Sequence, residues 1–303
     1  YYMEHLKDYA NQTLLKRLKK FKHRNLNAME RLDDGHKIMV KVSISDHQMV
    51  FDFAGSSGTH PGNMNATPAI VRSAVLYVLR LLVDEDIPLN EGLMRSVEIK
   101  LPTGFLNPDF YDDLNKCPAV VGGNTETSQR LVDTLLKSFN ISACSQGTMN
   151  NFLFGNSNFS YYETIGGGVG ATDGHHGASA VHQHMTNTRI TDPEILEFRY
   201  PVRLDRFGIR KNSGGQGLWN GGDGIERIFT FVDTLDITIL TQHRKEMPYG
   251  LEGGEPGKKG QQYLITKNGE KVKLQGIDAK QVEAGDSIII LTPGGGGFGK
   301  KKL

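Results

Sequence analysis

With 303 residues, 38% of them hydrophobic, the chain can form one large or two medium domains around a packed core. Lys plus Arg (35) and Asp plus Glu (34) leave a net charge of +1, which excludes a global electrostatic pull toward nucleic acid, an anionic membrane or a polyacidic partner. The two cysteines, Cys117 and Cys144, form no Cys-x-x-Cys pair, which argues against a zinc ribbon, a redox site or a disulfide framework and points to a reducing, cytoplasmic setting.

The most apolar stretch, 70–83, is broken by Arg72, Ser73 and Arg80 and is shorter than the roughly 20 residues of a spanning helix, so no membrane segment is expected. No basic segment followed by an apolar run opens the chain, and it begins without Met, which suggests a piece of something longer.

Along the chain, Leu6, Leu14, Leu15, Leu18, Phe21 and Leu26 recur at helical spacing among Lys and Arg, predicting a cationic helix over 3–31 that Asp34-Gly35 ends. A solvated or subunit-contacting helix face accounts for those charges without nucleic acid. Ile38, Val40, Val42 and Ile44, then Val50, Phe51 and Phe53, predict a β-hairpin across Ser45-Asp46-His47. Residues 66–83 read as a buried helix and 97–101 as a strand, and Asn124-Thr125 can cap a helix over 126–139. Beyond residue 141, glycine clusters alternate with β-type segments at 152–154, 196–202, 225–232, 237–240, 263–266 and 287–291. The fold class is therefore α+β: a mixed region over 1–140 and a glycine-rich β-region over 141–303, expected to pack as one unit.

Familiar catalytic motifs fail on inspection. Gly294-x-Gly296-x-x-Gly299 has the letters of a dinucleotide fingerprint but no following helix to receive a pyrophosphate. Gly257-Lys258 lacks P-loop spacing, so ATP is not bound by a Walker A loop here. No His-Glu-x-x-His or Gly-x-Ser-x-Gly sequence occurs, leaving zincin and serine-hydrolase chemistry without support.

Four stretches concentrate Asn, Thr, Glu and His beside glycine loops: 123–130, 147–151, 161–164, and 175–188 with its histidines. Taken singly, Asn124 can be a cap, Asn150 a turn former and His182 a satisfied buried histidine. Together they suit a pocket that hydrogen-bonds an amide or carboxylate and protonates a leaving nitrogen. In an extended segment His182 and His184 point to one side, yet two histidines are fewer than the roughly three protein ligands of a catalytic zinc.

Gly123-Asn124-Thr125-Glu126-Thr127-Ser128-Gln129-Arg130, Gly147-Thr148-Met149-Asn150-Asn151, Tyr161-Tyr162-Glu163-Thr164 with its glycines, His182-Gln183-His184-Met185-Thr186-Asn187-Thr188 and Pro293-Gly294-Gly295-Gly296-Gly297 carry a resemblance. In this order they resemble the hydantoinase B / 5-oxoprolinase / acetone carboxylase α-subunit family over nearly the whole chain. The resemblance implies the C-terminal part of a larger subunit of an ATP-dependent amidohydrolase. A hydantoinase A-like partner would bind ATP and activate a cyclic amide such as a hydantoin or 5-oxoproline. Divalent-metal ligands are expected mainly in the missing N-terminal half, and none is assigned in this chain. Of the candidate residues, His182, His184 and Glu163 are the expected catalytic groups, and Asn124, Glu126, Arg130, Asn150 and Asn187 the expected substrate-binding groups, gathered in one cleft. A ketone carboxylase subunit and a non-catalytic scaffold are the alternatives.

Overall fold

A computed structural model describes residues 1–22, 24–83 and 85–301, which divide into two units, Tyr1–Asn140 and Ile141–Leu303. In the first unit, helix α1 (Tyr2–Leu18) buries Ala10, Thr13, Leu14 and Leu18 and ends in a short 3-10 turn, Lys19–Phe21. The helix expected to continue to residue 31 is thus shorter, because Leu26–Arg31 is strand β1 with Leu26, Ala28 and Glu30 inward. A charged residue in the third inward position hides the period-2 pattern from the sequence; Lys137 pairs with the Glu30 carboxylate there.

Strand β2 (Lys37–Ile44) returns antiparallel to β1 through a turn in which Gly35 takes φ +97°. The expected hairpin follows: β3 (Met49–Asp52) pairs antiparallel with β2, its turn closed by Ser45 N–H donating to Gln48 O at 2.8 Å. Helix α2 (Pro68–Leu82) starts on a proline, whose missing N–H costs nothing in the first turn, and buries Val71, Ala74, Val75, Val78, Leu79 and Leu82 on one face. It leads across to β4 (Val97–Lys100), which lies parallel to β3, giving the sheet order β1-β2-β3-β4. Helix α3 (Ser128–Ser138) packs on β1 and β2, and Phe139 after it meets Phe21 and Phe51 edge-on, with ring centroids 5.2 and 6.4 Å apart.

Asn124 does not cap α3. The helix is entered through a π-helical turn, Gly123–Thr127, in which Asn124 is exposed. Contact between two stretches of backbone sets this entry: a Cβ on Gly123 would stand 2.1 Å from Asn65 O, and Thr127 Oγ1 donates to Met64 O at 2.6 Å.

The second unit holds two sheets. One contains β5 (Asn151–Gly155), β6 (Ser160–Thr164), β9 (Leu235–Leu240) and β12 (Ile277–Val282) in the order β12-β9-β5-β6. The other contains β7 (Val202–Arg210), β8 (Gly224–Phe231), β10 (Gln261–Ile265), β11 (Lys271–Lys273) and β13 (Ser287–Leu291) in the order β11-β10-β13-β8-β7. Their inner faces share one apolar core, in which Phe152 of β5 stacks on Phe229 of β8 at 5.6 Å. Each such side chain removed from water contributes roughly 1.5–3 kcal/mol. The segment 196–202, expected to be β-type, is mostly helix α4 (Pro193–Arg199). Asp192 caps it by accepting from the backbone N–H of Glu194 and Ile195, and Pro193 sets its first turn.

Between the strands, glycine segments pack backbone on backbone. Gly295 N–H donates to Gly222 O and Gly222 N–H to Val169 O, both at 2.9 Å, Gly215 N–H to Gly295 O at 2.8 Å, and Gly296 N–H to Cys144 O at 2.8 Å. These stretches are extended but are not strands. A Cβ on Gly295 would lie 2.0 Å from Val169 O, and one on Gly168 1.9 Å from Gly222 O, closer than any real side chain approaches. Among the described residues no helix is long and apolar enough to cross a membrane.

This packing sets an expectation. Gly295→Ala should lower unfolding stability by about 3 kcal/mol or more, because backbone neighbours cannot give way. Gly208→Ala on β7, where a Cβ meets nothing within 4 Å, should change it by no more than about 0.5 kcal/mol. Urea unfolding midpoints of the two variants check both.

Candidate functional site

Three expected site residues lie in the first unit. Asn124 is exposed in the π-helical turn, Glu126 is buried in it, and Arg130, fully buried in α3, donates through Nη1 to Arg31 O. Arg130 Nε and Nη2 have no hydrogen-bond partner among the described residues, an uncommon state for a buried guanidinium.

The other five lie in the second unit, where the structure separates supporting groups from facing ones. Asn150, at φ +48°, is buried with its amide engaged: Nδ2 donates to Gln146 Oε1 (2.7 Å) and Ile165 O (3.0 Å), while Oδ1 accepts from Arg244 Nη1 (2.9 Å). Glu163 on β6 forms a buried bidentate pair with Arg227 of β8, Nε to Oε1 at 2.8 Å and Nη2 to Oε2 at 3.0 Å. The guanidinium lies between the rings of Phe207 and Phe229, 4.8 and 4.6 Å from their centroids. Tyr161 lies 2.9 Å from both Glu163 Oε2 and Thr191 Oγ1, and burial, reinforced by the Glu163 charge, pushes its phenol far above the ordinary value.

His182 and Asn187 come together. They line a cleft of about 550 Å³ with Thr188, Arg189, Phe207 and Gly166. Its geometry follows from local chain choices. Gly167 and Val181 exchange backbone hydrogen bonds at 3.0 and 3.1 Å, which lays the His182 segment along the glycine run. At the far end of the loop, Thr188 is hydrogen-bonded to Thr164 and Thr191 to Tyr161. Phe207, held over Arg227, forms part of the wall. His184 follows at φ +59°, so the segment is not extended and the two-residue spacing does not align its side chain with that of His182.

His182 Nδ1 is buried without a partner among the described residues, and burial holds the imidazole below its ordinary value. The cleft therefore offers a neutral imidazole, an amide, a hydroxyl and the Arg189 cation side by side. Such a set can hold an anionic or amide-bearing small molecule and move a proton at one of its atoms. Thr188 closes the 182–188 motif, and Arg189, which the motif does not include, directly follows it; that adjacency is the one signal in the sequence that could have found it.

Two measurements check these environments. Glu163→Gln or Arg227→Met alone should cost about 3–5 kcal/mol in denaturant unfolding, whereas a combined Glu163→Leu and Arg227→Met exchange should recover part of the loss. For His182, the unfolded chain takes up a proton near the ordinary value of 6.5 and the folded chain only at lower pH. Stability should thus fall as pH drops below about 6.5, and His182→Asn should remove that part of the slope in unfolding curves recorded from about pH 7.5 to 5.5.

Comparison with known proteins agrees with this architecture. The family model described as Hydantoinase B/oxoprolinase matches residues 1–301. 5-Oxoprolinase 1 of Arabidopsis thaliana is 51% identical over 271 residues, covering 88% of this chain and 21% of that protein. The 5-oxoprolinase of Dictyostelium discoideum is 45% identical over 273 residues, 89% of this chain and 21% of that protein. The chain thus spans about a fifth of the length of these curated relatives. Among solved structures, the ATP-dependent caprolactamase from Pseudomonas jessenii superposes with a TM-score of 0.85 at 21% identity, covering 98% of this chain and 55% of that one. An acetone carboxylase superposes at 0.72 with 18% identity over 96% of this chain and 47% of that one, so both share the fold. The match over residues 1–301, carried by a chain with this fold and cleft, shows that the protein belongs to the Hydantoinase B/oxoprolinase family.

Proposed function

We propose that this chain is the C-terminal part of a subunit that opens a cyclic amide of the hydantoin or 5-oxoproline type after ATP-dependent activation by a hydantoinase A-like partner. The observation that carries the reading is the second-unit cleft, in which His182, Asn187, Thr188 and Arg189 face one space. The relatives named as 5-oxoprolinases, at 51% and 45% identity, support its chemical class.

An amide is a poor electrophile, so the hard step is to make its carbonyl carbon attackable and to protonate its nitrogen on departure. Arg189 pairs with a carboxylate or phosphoryl oxygen of the activated substrate, a role for which a guanidinium is well shaped. Asn187 and Thr188 hydrogen-bond the amide. His182, whose burial disfavours the protonated form, accepts or returns a proton. Glu163 acts at one remove, by fixing Arg227 and through it Phe207 in the cleft wall. ATP is assigned to the partner and the divalent metal to ligands in the subunit's preceding half.

The test is co-expression of the full-length subunit with its A-type partner, followed by ATP hydrolysis in the presence of hydantoins, 5-oxoproline and other lactams. Lactam-stimulated ATP hydrolysis is expected, with Arg189→Ala raising KM about 10-fold or more and His182→Gln lowering kcat about 100-fold. Bicarbonate-dependent turnover of a ketone would assign the protein to carboxylation, and kinetics indifferent to both variants would make this part a scaffold.

A further inference from the structure

The polar groups of the second-unit cleft sit on one loop, 182–191, which contains no helix or strand and exposes Asn187, Thr188 and Arg189. A segment outside regular structure takes its position from what it is attached to. The two ends of this loop are attached differently. His182 directly follows Val181, whose backbone is paired with Gly167 at 3.0 and 3.1 Å. At the other end hydroxyl groups make the attachment to β6, Thr188 with Thr164 and Thr191 with Tyr161.

The direction of the second contact follows from proton counting. Tyr161 OH lies 2.9 Å from both Glu163 Oε2 and Thr191 Oγ1. Glu163 is paired with Arg227 and therefore ionised, so it only accepts, while a phenol has one proton to give. That proton goes to Glu163, and the Thr191 hydroxyl donates to the Tyr161 oxygen. Burial and the Glu163 charge favour the protonated phenol, which keeps this order of donors. The Tyr161 ring is itself wedged in the core, its centroid 4.8 Å from Phe154 and 5.0 Å from Tyr200, so the hydroxyl is presented at a fixed point.

Glu163 also reaches the opposite wall. Its Arg227 partner lies across from Phe207 in the β7–β8 register and against the Phe207 ring, and Ile225, two residues before Arg227 on the same face of β8, lines the cleft with Phe207. One buried carboxylate thus ties the apolar wall through Arg227 and the polar loop through Tyr161.

We propose that Tyr161 is a positioning residue of the cleft, whose hydroxyl, by holding Thr191, fixes Asn187, Thr188 and Arg189 against the Phe207 wall at the spacing that binds substrate. The assignment of that substrate as a cyclic amide rests on the proposed function above. Tyr161 acts only through the loop. Because His182 stands next to the backbone pair at the other end, loss of the Tyr161 hydroxyl disturbs the binding groups and leaves the proton-transfer group where it is.

The test uses the full-length subunit with its partner and has two independent readings. Tyr161→Phe keeps the buried ring and the Glu163–Arg227 pair and removes only the hydroxyl. In hydrogen–deuterium exchange it should speed the amides of 187–191 about 10-fold or more, with Val181 and β5 unchanged. In lactam turnover it should raise KM about 10-fold with kcat within about twofold. Thr191 lies outside the apolar core, so Thr191→Val gives the same readings should Tyr161→Phe fail to fold. Thr191→Ser, which keeps the donor, should behave as the wild type, and Tyr161→Phe combined with Thr191→Val should be no worse than either alone. Unchanged exchange at 187–191 in both single variants would overturn the proposal, as would an unchanged KM or a kcat that falls as far as KM rises. Those kinetic results leave the cyclic-amide reading in place. A wild-type complex that turns over no lactam would remove the cyclic-amide reading, and the exchange pattern then decides the positioning role by itself.

Discussion

Backbone packed directly on backbone is the constraint from which the second unit takes its form. Where Gly222, Gly295 and the 166–170 run cross, the N–H groups of Gly167, Gly168, Val169, Gly222 and Gly295 each find a carbonyl on a neighbouring segment, Gly170 N–H finds the Ser145 hydroxyl, and a Cβ on Gly168, Gly222 or Gly295 would collide with backbone. Hydrogen-bonding needs normally met by a sheet are met here by chains that are not strands. The same contacts determine where the cleft lies, because Val181 is paired to Gly167 and the next residue is His182. The glycines therefore act on function through position, as they contribute no side-chain chemistry of their own.

A second constraint is the charge buried between the sheets. Glu163 and Arg227 lose their hydration, a cost offset by their bidentate geometry, the flanking aromatic rings and the Tyr161 hydroxyl on Glu163. Since an apolar pair is expected to recover part of the stability lost when the ion pair is broken, what the charges add is expected to be specific placement. The ion pair ties β6 to β8 and holds Phe207 at the cleft. Polar residues that look alike in the sequence divide on this basis. Asn150 and Glu163 are used up in support, while His182 and Asn187 keep a face toward the cleft.

The two ends of the cleft loop follow one physical rule. Each is held by a satisfied surrounding, the glycine crossings beside His182 and the Tyr161 hydroxyl beside Thr191. Proton transfer demands a nitrogen lone pair aimed at a fixed point, and rigid backbone is the means of aiming it. Burial is what acts on the His182 ring itself, so its aim depends on the segment that carries it.

Much of the fold was legible in the residues themselves. Apolar spacing defined α2, the hairpin of β2 and β3 and most strands of the second unit, and the motif order carried the family resemblance. Two local readings went wrong because a tertiary partner changed what a residue could do: Lys137 lets Glu30 occupy an inward strand position, and the Asn65 backbone draws 123–127 into a π-helical turn; a third, the strand expected at 196–202, missed the local signal Asp192-Pro193, which starts a helix there. Within the site, composition marked the segments but could not separate supporting from facing groups. That distinction depends on distant partners such as Arg227 for Glu163 and Arg244 for Asn150. Tyr161 stood in a motif, but its part in the cleft was hidden, since Thr191 lies 30 positions away in the chain and only the folded loop brings the two hydroxyls together. The sequence by itself determined the elements, the glycine-rich texture and the family, because these depend on local propensity and order along the chain. Tertiary structure alone decided which polar side chains face the cleft and what fixes its walls, because both are set by hydrogen bonds between residues remote in sequence.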